Sequence, residues 1–281
     1  MILSSIPNGF TLFGIDIKIY GITSALSYLL GIIIACLIAK KRKLKSDDIL
    51  TLACYVIPFA VVGARLYFVI FNANQFDSFG DIFNLRQGGL AFYGGLIGGA
   101  IAVLIYCLIH KKNFLAILDI VAPAMILSQA LGRWGNFFNQ EAYGYPVTNP
   151  NLQWFPFAVN IDHCLQTDCT CAGSGWHLAT FFYESLWNTI SFCILMALLY
   201  KAKFNRNGMV ACYYLVLYGT GRMIIEGLRT DSLYIGPLRV SQLLSAIFVI
   251  FGLTLIIINA CIKKKKEDSF DIIMKTLKTP L

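Results

Sequence analysis

Charge is what this sequence lacks. Only 14% of its 281 residues are Asp, Glu, Lys or Arg, against about 25% in a soluble globular chain. Histidine is scarcer still. His110, His163 and His177 are the only three, a thin basis for a hydrolase relay that needs a base beside Ser or Cys. No cationic region precedes the first apolar run; the first lysine is Lys18. Nor does a small-residue cleavage site follow it, so the first helix is expected to be retained and not removed as a signal peptide. No shift in composition marks a second soluble domain. No clear internal repeat of the kind many secondary transporters show is present.

What remains is apolar. Hydrophobic residues make up 57% of the chain and its mean hydropathy is +0.67. A helix needs about 20 apolar residues to cross the hydrocarbon core. Seven stretches approach that length: roughly 17–39, 49–71, 88–109, 114–132, 178–200, 209–228 and 238–262. The pattern predicts an all-α, polytopic membrane helix bundle of about seven transmembrane helices. Residues 1–262 would form one membrane domain with an outer loop at 145–177, followed by a basic tail at 263–281.

The charge that is present is sorted. Sixteen of the 23 Lys and Arg residues lie after alternate helices, in "KKRKLK" at 40–45, at 111–112, at 201–206 and in the tail beginning "KKKK". The positive-inside rule places those segments in the cytoplasm, with the N-terminus outside and the C-terminus inside. This distribution explains the net charge of +8 without nucleic acid. The other seven are Lys18, Arg65, Arg86, Arg133, Arg222, Arg229 and Arg239, at or near the outer helix ends. Six of these are arginines, whose planar fork suits phosphate or carboxylate. Six of the nine cysteines fall in apolar spans as small buried hydrophobes. Cys164, Cys169 and Cys171 share the outer loop with His163 and His177, where a disulfide-linked structural loop and a metal site are both open.

Polar groups inside apolar runs are costly and face a bundle interior or a wet cavity. Tyr20 opens the first run and also fits an interfacial aromatic belt. Arg65 lies well inside the second and calls for an anion. "GGLAFYGGLIGGA", residues 88–100, surrounds Tyr93 with glycine pairs. These permit close helix packing or close approach of a ligand, but they lack the strand and helix context of a nucleotide loop. Tyr183 and Glu184 stand near the outer end of the fifth helix. In "YYLVLYGTGRMIIEGLR", Tyr214, Tyr218, Arg222 and Glu226 recur every four residues, with Arg229 three further on. They share one helical face, either as a self-satisfied ion pair or as part of a site. Gln242 adds to the outer start of the last helix. "GRWGNFFNQEAYG", residues 132–144, gathers Arg133, Asn136, Asn139, Glu141 and Gly144 at the end of the fourth run. These groups describe a cationic polar cavity for an anion with an apolar body, such as an anionic phospholipid held by charge-assisted guanidinium bonds.

The "GRWGNFFNQEAYG" segment resembles the signature of the prolipoprotein diacylglyceryl transferase family, of the form G-R-x-G-N-F-x-N-x-E. "IYGI", "GARLYFV", "GGLAFYGGLIGG", "FFYESLWN" and "YGTGRMIIEGLRTDS" follow in the family's order, over about residues 6–262. The resemblance implies a bacterial plasma-membrane enzyme with its active site toward the outer face. Its activity would move the diacylglyceryl group of phosphatidylglycerol to the lipobox cysteine of a prolipoprotein, forming a thioether and releasing glycerol 1-phosphate, with no cofactor or metal. It implies site residues at Tyr20, Arg133, Asn136, Asn139, Glu141, Gly144, Tyr218, Arg222, Glu226 and Arg229; the reading of the polar groups adds Arg65, Tyr93 and Gln242. Arg133, Arg222, Glu141 and Tyr93 are the expected catalytic set. Where the family often has a histidine, proposed as a general base, this chain has Tyr93. The family's His-Pro-Thr before its "YES"-like segment is also changed here, to "HLATFFYES". The competing classes are a lipid or organic-anion transporter and an inactive lipid-binding relative.

Overall fold

The computed structural model describes residues 9–12, 15–42, 44–76, 80–83, 88–161, 175–201 and 207–278. Among them stand seven long helices: α1 (Ile19–Lys41), α2 (Ser46–Phe71), α3 (Phe92–Ile109), α4 (Phe114–Phe138), α5 (Thr180–Tyr200), α6 (Met209–Glu226) and α7 (Val240–Lys278). Three antiparallel two-stranded ladders join them: β1 (Gly9–Leu12) with β2 (Ile15–Lys18), β3 (Ala158–Ile161) with β4 (Gly175–Leu178), and β5 (Tyr234–Ile235) with β6 (Leu238–Arg239). Helices α1, α2, α4, α5 and the Val240–Ile262 part of α7 are long and apolar enough to cross a membrane. The apolar part of α3, Tyr93–Ile109, is shorter, and α6 carries the polar stripe. The protein is an all-α, multi-pass membrane protein, as its composition predicts. Large apolar side chains such as Ile70 and Phe71 on α2 and Ile250 and Phe251 on α7 are more than half exposed, as befits surfaces meant for hydrocarbon rather than water.

Two helix ends differ from the sequence expectation. The fourth run was expected to stop near 132, but α4 continues to Phe138, so half of the signature segment is helical. Asn113 caps its start, its Oδ1 accepting the Ala116 N–H at 3.0 Å. The helix also passes through Pro123, which membrane helices tolerate. The seventh run was expected to end near 262, and α7 continues as helix to Lys278. The outer-loop cysteines Cys164, Cys169 and Cys171, with His163, lie outside the described residues.

The helices gather into two compact units, Met1–Leu30 with Ala122–Leu281, and Gly31–Val121. In the latter, α2 and α3 meet backbone to backbone. A Cβ on Gly94 would strike the Gly63 carbonyl, and one on Gly98 the Phe59 carbonyl, so the glycines act here as a packing seam. Leu52, Val103, Tyr106, Cys107 and Ile117 form the core beside it. Lys112 pairs with Asp48 at 2.8 Å, and Arg42 lies 3.9 Å from the buried Asp119. In the other unit, α4, α5 and α6 pack around Ala122, Ile126, Leu195, Val210 and Tyr214. The start of α1 lies on α4, where Ser128 donates to the Ser27 carbonyl at 2.8 Å. A Cβ on Gly135 would come within 2.9 Å of Thr23 Oγ1 and 3.0 Å of the Tyr20 ring.

Candidate functional site

The centre of the larger unit is an ion-pair network over three helices. Glu184 of α5, with a side chain 3% exposed, lies between two arginines. Its Oε1 is 2.6 Å from Arg133 Nη2 of α4, and its Oε2 accepts from Arg222 Nη1 of α6 at 2.9 Å. Arg222 Nη2 also lies 2.7 Å from Glu226 Oε2, one turn along the same helix. Glu184 Oε1 and Glu226 Oε2 have these close cations but no aligned hydrogen bond. The sequence suggested a strongly cationic cavity. At the centre the structure instead sets two guanidiniums against two carboxylates. The physical reason is desolvation: a buried cation is strongly destabilising unless an opposite charge meets it.

The signature turn continues this network outward. Arg133 Nη1 donates to Asn136 Oδ1 at 3.3 Å, and Asn136 Nδ2 donates to Glu141 Oε1 at 2.7 Å. Glu141 therefore orients Arg133 through Asn136 and not by direct pairing. The turn that presents Glu141 is held in a costly conformation. Gln140 and Ala142, on either side, have φ of 50° and 59°, a left-handed region that side chains other than glycine rarely adopt. Packing fixes it from behind, for Thr180 Oγ1 donates to the Ala142 carbonyl at 2.6 Å. Gly144 follows and forms a bridge with Arg229. Its N–H donates to Leu178 O at 2.9 Å, and a Cβ there would sit 2.7 Å from Leu178 Cβ and 2.8 Å from Leu228 O. His177, 2% exposed, contacts the Gly144 carbonyl through Nδ1 at 3.0 Å.

The remaining predicted residues separate into several settings. Tyr20, 40% exposed, lies on α4 at Gly135. Asn139 is partly buried one turn beyond Gly135. Tyr218 stacks on Tyr214, ring centroids 5.6 Å apart and 8° from parallel. Gln242 donates to the Met223 carbonyl at 3.1 Å. Arg229 makes a two-pronged pair with Asp231, 2.9 and 2.7 Å. Burial pushes the Asp231 carboxyl up, but the hydrogen bonds and charge of Arg229 outweigh it and hold the group below its ordinary range. Arg239, in β6, donates to the Glu226 carbonyl and, at 3.0 Å, to the Tyr145 hydroxyl. Two predicted residues belong to the smaller unit. Tyr93 is partly buried in the first turn of α3. Arg65, 8% exposed, donates to the carbonyls of Asp81, Ile82, Gly88 and Gly89 at 2.7–3.0 Å. Among the described residues, no three His, Cys, Asp or Glu side chains converge as a metal would require.

Sequence reasoning left Glu184 out of the candidate set, although it is the hub. The available signal was the spacing in "FFYESLWN": Glu184 and Asn188 are one turn apart on an apolar helix, and both are buried. Trp134 and Ser185 fix the same contact, Trp134 Nε1 donating to Ser185 Oγ at 3.2 Å.

Fold and site together define an integral-membrane helical bundle organised around a buried arginine–glutamate network. The family model described as "Prolipoprotein diacylglyceryl transferase" matches residues 7–258. A Clostridium perfringens protein named phosphatidylglycerol–prolipoprotein diacylglyceryl transferase 1 is 44% identical over 266 residues, covering 95% of this chain and 99% of the relative. A Clostridium botulinum protein named phosphatidylglycerol–prolipoprotein diacylglyceryl transferase is 42% identical over 93% of this chain and 99% of its own length. One of that name from Streptococcus agalactiae is 43% identical over 86% of this chain and 91% of its own. The chain belongs to the prolipoprotein diacylglyceryl transferase family.

Proposed function

We propose that this protein transfers the diacylglyceryl group of phosphatidylglycerol to the cysteine thiol of a prolipoprotein, and that the Arg133–Glu184–Arg222 network is where the lipid phosphate is engaged. The observation that carries the reading is the signature segment itself, which delivers Arg133 to Glu184 at 2.6 Å within a family matched over residues 7–258. A transporter is not favoured: the relatives are named as transferases.

The chemistry is an alkyl transfer. The thiolate sulfur forms a bond to the terminal glyceryl carbon, and that carbon's bond to the phosphate oxygen breaks. The oxygen and its electron pair leave with glycerol 1-phosphate, and the thiol proton is taken up by the phosphate monoester or by solvent. Two demands follow: a thiol deprotonated below its usual pKa of about 8.5, and cationic donors on the leaving phosphate. Arg133 and Arg222 answer both. Each guanidinium has five N–H donors and shares only some of them with Glu184, Glu226 and Asn136, so a phosphate can join the network. Glu184 and Glu226 fix the forks in place, and Glu141 does so through Asn136. Preorganised donors of this kind contribute about 10²–10³ each in rate. Tyr93 is assigned a hydrogen bond to the lipid rather than the role of base. Tyr20, Asn139, Gly144, Tyr218, Arg229 and Gln242 frame the lipid or hold the frame. The enzyme resides in a bacterial plasma membrane with this site toward the outer face, in keeping with the basic segments at 40–45 and 263–266.

The test is direct. Purified protein is mixed with phosphatidylglycerol and a peptide carrying a lipobox cysteine, and the peptide mass is followed. A diacylglyceryl adduct is expected; its absence from folded protein rejects the activity. Tyr93→Phe separates the two roles of that residue. Turnover within about tenfold of wild type fits a lost hydrogen bond, whereas a deeper loss that recovers as pH rises through the thiol pKa of about 8.5 marks a base.

A further inference from the structure

One helical turn behind the charged layer stands a second, uncharged layer. Gln129 precedes Arg133 by one turn on α4, Asn188 follows Glu184 by one turn on α5, and Tyr218 precedes Arg222 by one turn on α6. Because Arg133, Glu184 and Arg222 meet, residues four positions along the same faces are brought to a common level. Beyond them, Ile126, Leu195, Val210 and Tyr214 close the space with apolar packing.

Two amides in this layer are incompletely satisfied. Asn188 is 1% exposed, and its Nδ2 is buried without a hydrogen-bond partner. Gln129 donates through Nε2 to the Tyr214 hydroxyl at 3.0 Å, while its Oε1 is buried without a partner. The two are complementary, yet they do not bond each other. An unmet buried polar group costs about 1–3 kcal/mol, so two on facing helices point to a ligand. Since the Tyr214 hydroxyl can both donate and accept, Gln129 can turn either end of its amide inward.

We propose that Asn188 and Gln129 form a neutral subsite for the acyl-ester carbonyl oxygens of the diacylglyceryl group; this rests on the transferase reading above. The layer carries no charge, so it suits the uncharged part of the lipid. An ester carbonyl only accepts hydrogen bonds, which is what the Asn188 NH₂ requires. The three-carbon glycerol backbone separates such carbonyls from the phosphate by a distance of the same order as one helical pitch, about 5.4 Å. A phosphate on Arg133 and Arg222 therefore sets the ester at the level of the amides.

The experiment compares phosphatidylglycerol with its dialkyl-ether analogue, which keeps the headgroup and chains but lacks both carbonyls. Full-length protein and a lipobox peptide are used, and kcat/KM is read for each lipid. Wild type is expected to prefer the ester about tenfold. In Asn188→Leu the ester-to-ether ratio should fall to near one, with Gln129→Met moving it the same way as a milder variant should Asn188→Leu fail to fold. A wild-type ratio near one overturns the subsite. So does a variant that lowers both lipids equally, which is the mark of a merely structural amide. No adduct from either lipid with wild type rejects the transferase reading itself, and the subsite with it.

Discussion

Arg65 and Arg222 both place a guanidinium in the apolar body of a helix, and they are held in different ways. Arg65 on α2 takes the main-chain carbonyls of Asp81, Ile82, Gly88 and Gly89 and lies 5.1 Å from the Phe76 ring centroid. Those carbonyls belong to the backbone and cannot rotate away as a side chain can. Arg222 on α6 takes two carboxylate side chains, one of them shared with Arg133. Side-chain carboxylates can rotate and yield to a competing anion such as phosphate. The difference teaches that burial of an arginine in a membrane span is not itself a sign of a site; what it is buried against decides. Arg65 is held by backbone carbonyls, whereas Arg133 and Arg222 are held by side chains.

This contrast can be broken in four ways. The deepest effect is expected from Glu184→Ala, which leaves two guanidiniums short of their shared partner. Removing one side of a buried pair costs about 3–5 kcal/mol, read as a lowered unfolding midpoint in detergent together with lost adduct formation. Arg133→Lys keeps the charge but not the fork. The adduct rate should fall about 10²–10³-fold with the unfolding midpoint little changed. Arg65→Lys should show the opposite balance. Lost carbonyl bonds cost about 1–3 kcal/mol of stability, and a rate loss per folded molecule as deep as that of Arg133→Lys would erase the distinction drawn here. The smallest effect concerns Asp231. Its carboxyl titrates below its ordinary range in the folded protein because of Arg229. Its contribution to stability is therefore fully present above the unfolded value of about 3.9 and fades as pH falls through the lower folded value. Asp231→Asn should flatten that acid limb of a stability-versus-pH curve, and an unaltered limb would show that the pair is unimportant to stability.

Much of this was legible from residue type and spacing. Long apolar runs announced the helices, and the Arg222–Glu226 spacing announced their pair, because both follow from the 3.6-residue period alone. The end of α4 was not legible. Gly132 and Gly135 look like breakers in sequence, and they remain helical because the start of α1 packs upon them. Glu184 was visible but undervalued. Its importance comes from two arginines on other helices, and no local pattern records a partner 51 or 38 positions away. For Arg65 the sequence marked a buried cation and called for an anion, but neutral backbone carbonyls meet it instead. Backbone direction in an irregular segment leaves no compositional trace. The strained turn around Glu141 was likewise hidden, as neither Gln140 nor Ala142 is a residue that advertises a positive φ.

The shared carboxylate also has a temporal meaning. During synthesis, at about 5–20 residues per second, Arg133 emerges several seconds before Glu184, and Arg222 later still. The arginine of α4 therefore enters the bilayer region before its counter-charge has been made. Until α5 arrives, this stretch has reason to linger near water or the insertion machinery. The glutamate thus settles the charge of α4 first, and the network is complete only when α6 brings Arg222 and Glu226.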